Sequence, residues 1–575
     1  LTTAAGPGAA YPANAAGAPE WACRQMESMR ANRRIVHWII DHRQTENGEF
    51  GGVWGDDTDM SEYWTSYVLA CDDDGKIGRA LRRFIAGLYR ECLVEGVSRT
   101  IRDNLHSYEE GMGAICHALL FDYGNPTAVE RVMRAASHYH PKWMKKEEDG
   151  TYSFRSNYFG FEGVYEEGDF GKDTGVNHLM LYPAAYLTWY NRHPAATPYI
   201  LHWRRAPQTR GLVYDAWLRL KYDDPAQRAE LYAERLAATD GARDPEGVNS
   251  LLLETGVRPE WRDRLLKQAQ GAPWKFFAGA LPEYAGYSGR MTEYFWLAWA
   301  ATGDLKWLIQ SDRQACLFIN NQEWLYTEAQ PSTDRIPLPE CSMLRSRIGA
   351  LATTRGASGS FWPRHALSYT AGSEQTAILV TENTETALTA RFYCFADGPH
   401  RLDARLWRLL PGTYKAVLSH DRNHDGQPEE MIREWTLEVE RGAPLELTLP
   451  PRAGSVLKIA ALTTRAPVYD LPDAAIGPED VVLEYGDHLH VTVHNIGTQP
   501  VENLEVRVRD GHTGDVIGTR TVRRIEAPLD LKPRTALLEL QNANAITRGS
   551  IIIELDPGKK HPDLNRCNNT VVFKY

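Results

Sequence analysis

The hydrophobic pattern of this chain changes period once, near Arg355, and that change limits it to a helical part followed by a β part. Between residues 20 and 350, apolar runs at helical spacing alternate with short turns. "YVLACDDDGKIGRALRRFIAGL", "CHALLFDYGNPTAVERVMRAA", "LRLKYDDPAQRAELYAERL" and "LAWAATGDLKWLI" all follow this pattern. In each, Asp, Gly, Asn or Pro stops one helix and starts the next, which predicts antiparallel helix pairs. The pairs are irregular in length and lack a short fixed period, so closure into an (α/α) toroid is expected over an open superhelix.

Beyond Arg355, "TAILVTENTETALTARFYCF", "GTYKAVLSH" and "SVLKIAAL" are short alternating runs split by turns, the pattern of an antiparallel β-sandwich. A Pro-containing hinge, "TTRAPVYDLPDAAIGPED", precedes a second β set running from "LHVTVHNIG" to "NNTVVFKY". The expected organisation is a disordered or extended stretch over 1–20, a toroid over 21–350 and a middle β-sandwich over 351–463. A linker over 464–480 and an Ig-like β-sandwich over 481–575 complete it. A length of 575 residues suits about three to four domains.

Charge excludes some functions. The net charge of −11 leaves no basic stripe to track phosphates, so a nucleic-acid partner is not expected. No run of 18 apolar residues is present, so no membrane span is expected. The eight cysteines lack CxxC spacing and several lie in apolar helical runs, which predicts buried thiols. The chain starts at Leu1 without a signal peptide, as a processed or trimmed N-terminus would. Its 17 Trp and 27 Tyr crowd the first two thirds, where they suit either large helical cores or sugar stacking.

Five polar, glycine-punctuated stretches of the helical part are candidate site segments. "DNLHSYEEGMGAICHALLF" (103–121) crowds Asn104, His106, Tyr108, Glu109 and Glu110 ahead of an apolar helix. "GEFGGVWGDDTDMSEYW" (48–64) sets Trp54, Asp56, Asp57 and Asp59 beside a glycine-rich turn, where backbone and carboxylates approach a ligand closely. Helix capping and a hard-cation site compete there with catalytic or sugar-binding carboxylates. "EEDGTYSFRSNYFGFEG" (147–163) carries Arg155, Asn157 and Tyr158, and "YEEGDFGKDTGVNHLMLY" (165–182) carries the adjacent Asn177 and His178. "PEYAGYSGRMTEYFWLAW" (282–299) adds Tyr287 and Arg290.

Outside the helical part, "DRNHDGQPEE" copies the first half of a calcium loop through Asp421, Asn423 and Asp425, but position 12 is Ile432. A structural calcium ion and a solvated polar turn both remain open there. No other cofactor is expected.

Two resemblances add to this reading. "VTVHNIGTQPVENLEVRVRDG" and "HPDLNRCNNTVVFKY" resemble the CARDB-type Ig-like modules of extracellular bacterial proteins. That resemblance implies a secreted or periplasmic protein whose last module spaces or attaches a catalytic domain. The pair formed by 103–121 and 147–163 resembles (α/α)-toroid polysaccharide lyases of the alginate-lyase and heparinase type. Those enzymes place an Asn/His pair at a helix entrance and, after a comparable interval, a D-G-[ST] stretch ending in a catalytic Tyr. Asn104 and His106 match the first motif and Tyr158 the second, although Leu105 separates the Asn and His that the family keeps adjacent.

The resemblance implies β-elimination at a uronic acid in a polysaccharide substrate. Asn or Arg neutralises the carboxylate, Tyr or His removes the C5 proton, and the leaving oxygen is protonated. Two alternatives stand beside it. Asp57 or Asp59 with Glu109 or Glu110 would serve an inverting glycoside hydrolase, and stacking aromatics alone would serve a non-catalytic glycan-binding or adhesion protein. The oligomeric state is not legible in the sequence.

Overall fold

The computed structural model describes residues 17–209, 211–238, 295, 298–321, 332–333, 336, 342–349, 365–484, 488–540 and 549–574. Its N-terminal region is helical and its C-terminal region is mostly β, with several antiparallel sheets. The chain folds as two compact units, one from residues 1–87 and 222–466, the other from 88–221 and 467–575.

In the first unit, helix Glu20–Arg43 buries Trp21, Cys23, Met26, Met29, Ile35, Val36 and Ile39, the stripe that helical spacing predicts. Helix Trp64–Cys71 ends at the "CDDDGK" turn. There the Asp72 carboxylate accepts hydrogen bonds from the N–H groups of Ile77 (3.0 Å) and Gly78 (2.8 Å), which begins helix Lys76–Glu91. The predicted starts recur at Pro225–Ala238 and at Lys306–Asn321.

The β part of this unit has two antiparallel sheets. In the five-stranded sheet the order is Met431–Val439, Gly412–His420, Gly454–Thr464, Ala387–Cys394, Thr376–Asn383. The three-stranded sheet runs Ala443–Leu449, His400–Leu406, Leu367–Ala371. Period-2 burial is plain in Ala443–Leu449, where alternate residues are buried and exposed. Arg347 ties helix to sheet: fully buried, it donates to the carbonyls of Ala70 (3.1 Å), Ser373 (2.7 Å) and Thr376 (2.7 Å). A charge this deep is tolerated because its donors are met by acceptors.

The second unit contains helices Gly113–Phe121, Pro126–Ala136, Tyr182–Asn191, Thr197–His202 and Gly211–Lys221. Asn125 accepts from the Ala128 N–H (3.1 Å) and Pro126 occupies the first helical turn, so "DYGNP" both stops and starts a helix. The expectation of helices alone over 20–350 is corrected here. Short strands occur at Leu93–Val94, Val97–Ser98, Arg102–Asp103, Met144–Lys146, Tyr152–Phe154, Tyr158–Gly160 and Gly163–Val164. In two of them Tyr152, Phe154, Tyr158 and Phe159 are residues that suit a pleated surface.

The C-terminal part of this unit has two antiparallel sheets. Residues from both, including Leu489, Val491, Val493, Val506, Val508, Ile551 and Ile553, share one buried core. Ala474–Ala475, within the stretch expected as a linker, pairs with His494–Asn495 as a strand of this module. Cys71, Cys116, Cys316 and Cys394 are buried thiols, and burial pushes the Cys71 thiol up to about 12. Among the described residues no helix is long and apolar enough to cross a membrane.

Candidate functional site

Strand Arg102–Asp103 pairs antiparallel with Tyr158–Gly160, and Asp103 stands opposite Tyr158. Directly opposed residues of an antiparallel pair project to the same face, with Cβ atoms about 5 Å apart. The next residues turn into the single helical turn Asn104–Ser107, and Asp103 is its cap. Its Oδ1 accepts from the N–H groups of Leu105 (3.0 Å) and His106 (3.1 Å), while Oδ2 lies 2.6 Å from His106 Nδ1. Burial pushes the Asp103 carboxyl up, but the N–H and imidazole of His106 and the N–H of Leu105 outweigh it and hold the carboxyl below its ordinary value.

An ionised Asp103 accepts only, so Nδ1 of His106 carries the hydrogen and, in the neutral ring, Nε2 holds the lone pair. The His106 side chain is 58% exposed, and among the described residues no protein group bonds its Nε2. An oriented imidazole with an open Nε2 is a general base in form.

Two further stretches join this corner. Asn104 is buried, and its amide donates to Asn177 Oδ1 (2.8 Å) and Thr174 Oγ1 (3.3 Å). Asn177 in turn donates to the Ser156 carbonyl (3.0 Å), and the backbone N–H of Asn104 donates to the Asn157 carbonyl (2.9 Å). The structure therefore brings Asn104, His106, Asn157, Tyr158 and Asn177 together. His178 follows on a short 3-10 helix, its Nδ1 2.9 Å from the Gly175 carbonyl oxygen. Arg155 donates from Nε to the Met144 carbonyl (3.3 Å), and its Nη1 stands 3.5 Å from Glu166.

Other expected site residues are used differently. Tyr108, expected at the substrate, is fully buried and packs edge-on against Tyr182 at 5.1 Å, so it belongs to the core. Glu110 accepts from the Ser98 hydroxyl and pairs with Arg102, which occupies both of its oxygens. Glu109 is half-buried. After it the backbone kinks through a π-helical turn at Gly111, whose φ of +134° suits glycine alone.

Asp57 lies in the first unit and is fully buried. Its oxygens accept from the Phe50 N–H (2.6 Å) and the Thr333 hydroxyl (2.6 Å), and burial pushes its carboxyl up to about 6. It pins the glycine-rich loop and does not face solvent. Trp54 packs on Phe84 at 5.6 Å, and Asp56 and Asp59 are half-buried on the same helix, Trp54–Ser61. Tyr287 and Arg290 lie outside the described residues.

In the 421–430 loop, Asp421 is buried, accepts from the Gly426 N–H (3.1 Å) and faces Arg391 at 3.6 Å. Asn423 donates to Asp425 (3.0 Å). These hydrogen bonds close the loop on itself.

No protein-family model matches the sequence, and no curated protein matches it. Among solved structures, a β-glucuronidase from Ruminococcus gnavus in complex with uronic isofagomine aligns at 12% identity. The alignment covers 34% of this chain and 36% of that chain, with a TM-score of 0.12. A putative β-galactosidase from Bacteroides fragilis aligns at 13% identity over 34% of this chain and 33% of that one, with a TM-score of 0.13. The aligned part spans about a third of each relative's length, and similarity this low carries no argument for this chain.

Asp103 is the residue that the sequence reading missed. Its signal was present: an Asp one residue before a short helix and three before a His is both a cap and a carboxylate within reach of the ring.

Proposed function

We propose that this protein is a polysaccharide lyase that cleaves a uronic-acid-containing glycan by β-elimination. The observation that carries the proposal is the Asp103–His106 pair, with Nε2 open, whose Asp103 stands directly opposite Tyr158 in the strand pair. On this reading Nε2 of His106 takes the C5 proton of the uronate. The electron pair forms the C4–C5 double bond as the C4–O bond breaks, and the Tyr158 hydroxyl gives a proton to the departing oxygen. Arg155, in the bend between strands Tyr152–Phe154 and Tyr158–Gly160, meets the uronate carboxylate, since Asn104 already spends its amide on Asn177 and Thr174. Asn104 and Asn177 are then positioning residues, and Asn157 and His178 border the sugar.

The same reading extends to the whole chain. The helical segments form an (α/α) toroid, and the C-terminal module is a CARDB-like Ig-like domain. The protein works in the periplasm or outside the cell, with a polysaccharide as its partner. In the hydrolase alternative Asp57 and Glu110 spend their carboxylates on internal partners, so Asp59 and Glu109 would have to carry the reaction.

The test is to incubate the protein with alginate, polygalacturonate, hyaluronan and a neutral β-glucan and follow near-ultraviolet absorbance. A lyase produces an unsaturated uronate that absorbs there. New reducing ends without absorbance would replace the lyase with a hydrolase.

A further inference from the structure

Beside the Asp103–His106 pair lies a cluster of aromatic rings that the reaction does not use. Tyr165 is 54% exposed and Phe170 is 45% exposed, and both rings neighbour Tyr158. The Phe170 ring meets Tyr158 edge-on at 4.5 Å, and Tyr165 stands 6.1 Å from Phe170 and 6.5 Å from Tyr158. Leaving two large aromatic residues this open, side by side, costs hydrophobic free energy unless a ligand covers them.

The loop that holds them is built to stay in place. The Phe170 carbonyl accepts from the N–H groups of Asn157 (3.0 Å) and Lys172 (2.8 Å) and from the Ser156 hydroxyl (3.1 Å). At Gly171 a Cβ would fall 2.2 Å from the Glu166 carbonyl oxygen, so the loop closes more tightly than any side chain there permits. Rigid aromatic faces that are open to solvent before binding lose little freedom when a ligand stacks on them.

Their surroundings select the ligand. Arg155 pairs with Glu166 in this loop, and Asn157 bonds it through its backbone. Flat apolar rings edged by a guanidinium, a carboxylate and amides match a pyranose, which has one C–H face and a rim of hydroxyls. A purely apolar partner would leave those polar groups without water or acceptors.

We infer that Tyr165 and Phe170 form a stacking subsite for a pyranose ring of the glycan, next to the residue whose bond is cleaved. This rests on the proposed glycan substrate, but it concerns binding and not the elimination step. The subsite explains why two aromatic residues of "VYEEGDFG" remain at the surface while most Trp and Tyr of the helical region are buried.

The experiment measures binding in a His106→Ala background, which removes turnover, by titration calorimetry with alginate, polygalacturonate and hyaluronan oligosaccharides. Tyr165→Ala and Phe170→Ala are expected each to weaken Kd about tenfold for the glycan that binds, a change of about 1.4 kcal/mol. Tyr165→Phe and Phe170→Tyr keep a ring and are expected to stay within about twofold. Thermal unfolding of each variant identifies any that is misfolded. Alanine variants that bind like their parent, or a parent that binds none of these glycans, would overturn the subsite. A parent that binds while the wild-type protein produces no unsaturated uronate would leave the subsite standing and remove the lyase.

Discussion

Asp103 Oδ2 lies 2.6 Å from Nδ1 of His106, and the same carboxylate caps the helical turn on which His106 sits. One side chain thus sets both the tautomer of the imidazole and its position. The two tasks separate by mutation.

Asp103→Asn preserves an oxygen for the cap but removes the charge facing the ring. Turnover is expected to fall by about 10², the usual worth of a positioned proton-transfer group, with stability nearly unchanged. Asp103→Ala is expected to lose the same activity and about 1 kcal/mol of stability as well, because the cap goes too. Equal unfolding temperatures for the two variants would refute the capping role.

A second expectation concerns pH. His494 is buried between Glu130 (2.6 Å) and Asp480 (2.9 Å). Burial lowers its pKa, but the two carboxylates outweigh burial and raise it to about 9. A His held protonated in the fold contributes stability that is complete below its unfolded pKa, about 6.5. That stability is lost as pH rises from there through about 9, on the order of 3 kcal/mol in all. Thermal unfolding between pH 6 and 10 should show this loss, and His494→Gln should flatten the profile in that window. A wild-type profile no steeper than the variant's would contradict it.

The helix pairs were legible because their stop signals are local: an Asp, Asn or Pro acts on its own neighbours, as at Asp72 and Asn125. The alternating β runs were legible for the same reason. Less of the site was readable. The Asn104–Asn177 bond joins residues 73 apart, and no local pattern announces such a pairing. Tyr108 looked like a site residue because it lies between His106 and Glu109, yet the turn of the helix carries it inward. Asp57 misled for a related reason: carboxylates near glycines suit a ligand, but this one serves the loop itself.

That use of Asp57 gives a third prediction. Asp57→Ala leaves the Phe50 N–H and the Thr333 hydroxyl without their acceptor. A loss of about 2 kcal/mol in unfolding free energy is expected, from two buried donors left unsatisfied. Denaturant unfolding reads it directly, and a variant as stable as wild type would show that the bonds are dispensable.

A fourth concerns the C-terminal module, which the sequence resemblance casts as an attachment. Residues 467–575 share a compact unit with 88–221, and the Tyr190 hydroxyl donates to the fully buried Asp473 at 2.7 Å. Asn191 donates to the Ile496 carbonyl at 3.0 Å. Tyr190→Phe is expected to cost about 1–3 kcal/mol, since a buried carboxyl loses a donor. Unchanged unfolding in that variant would favour a loosely tethered module.

The central claim is that His106 and Tyr158 carry out an elimination. Mass spectrometry of the oligosaccharides released from a uronate polymer tests it most directly, because elimination yields products one water lighter than hydrolysis does. The account predicts unsaturated, water-deficient products from the wild-type protein, reduced by about 10² or more in His106→Ala and in Tyr158→Phe. Products of full hydrolytic mass, or elimination that proceeds unchanged in both variants, would contradict it.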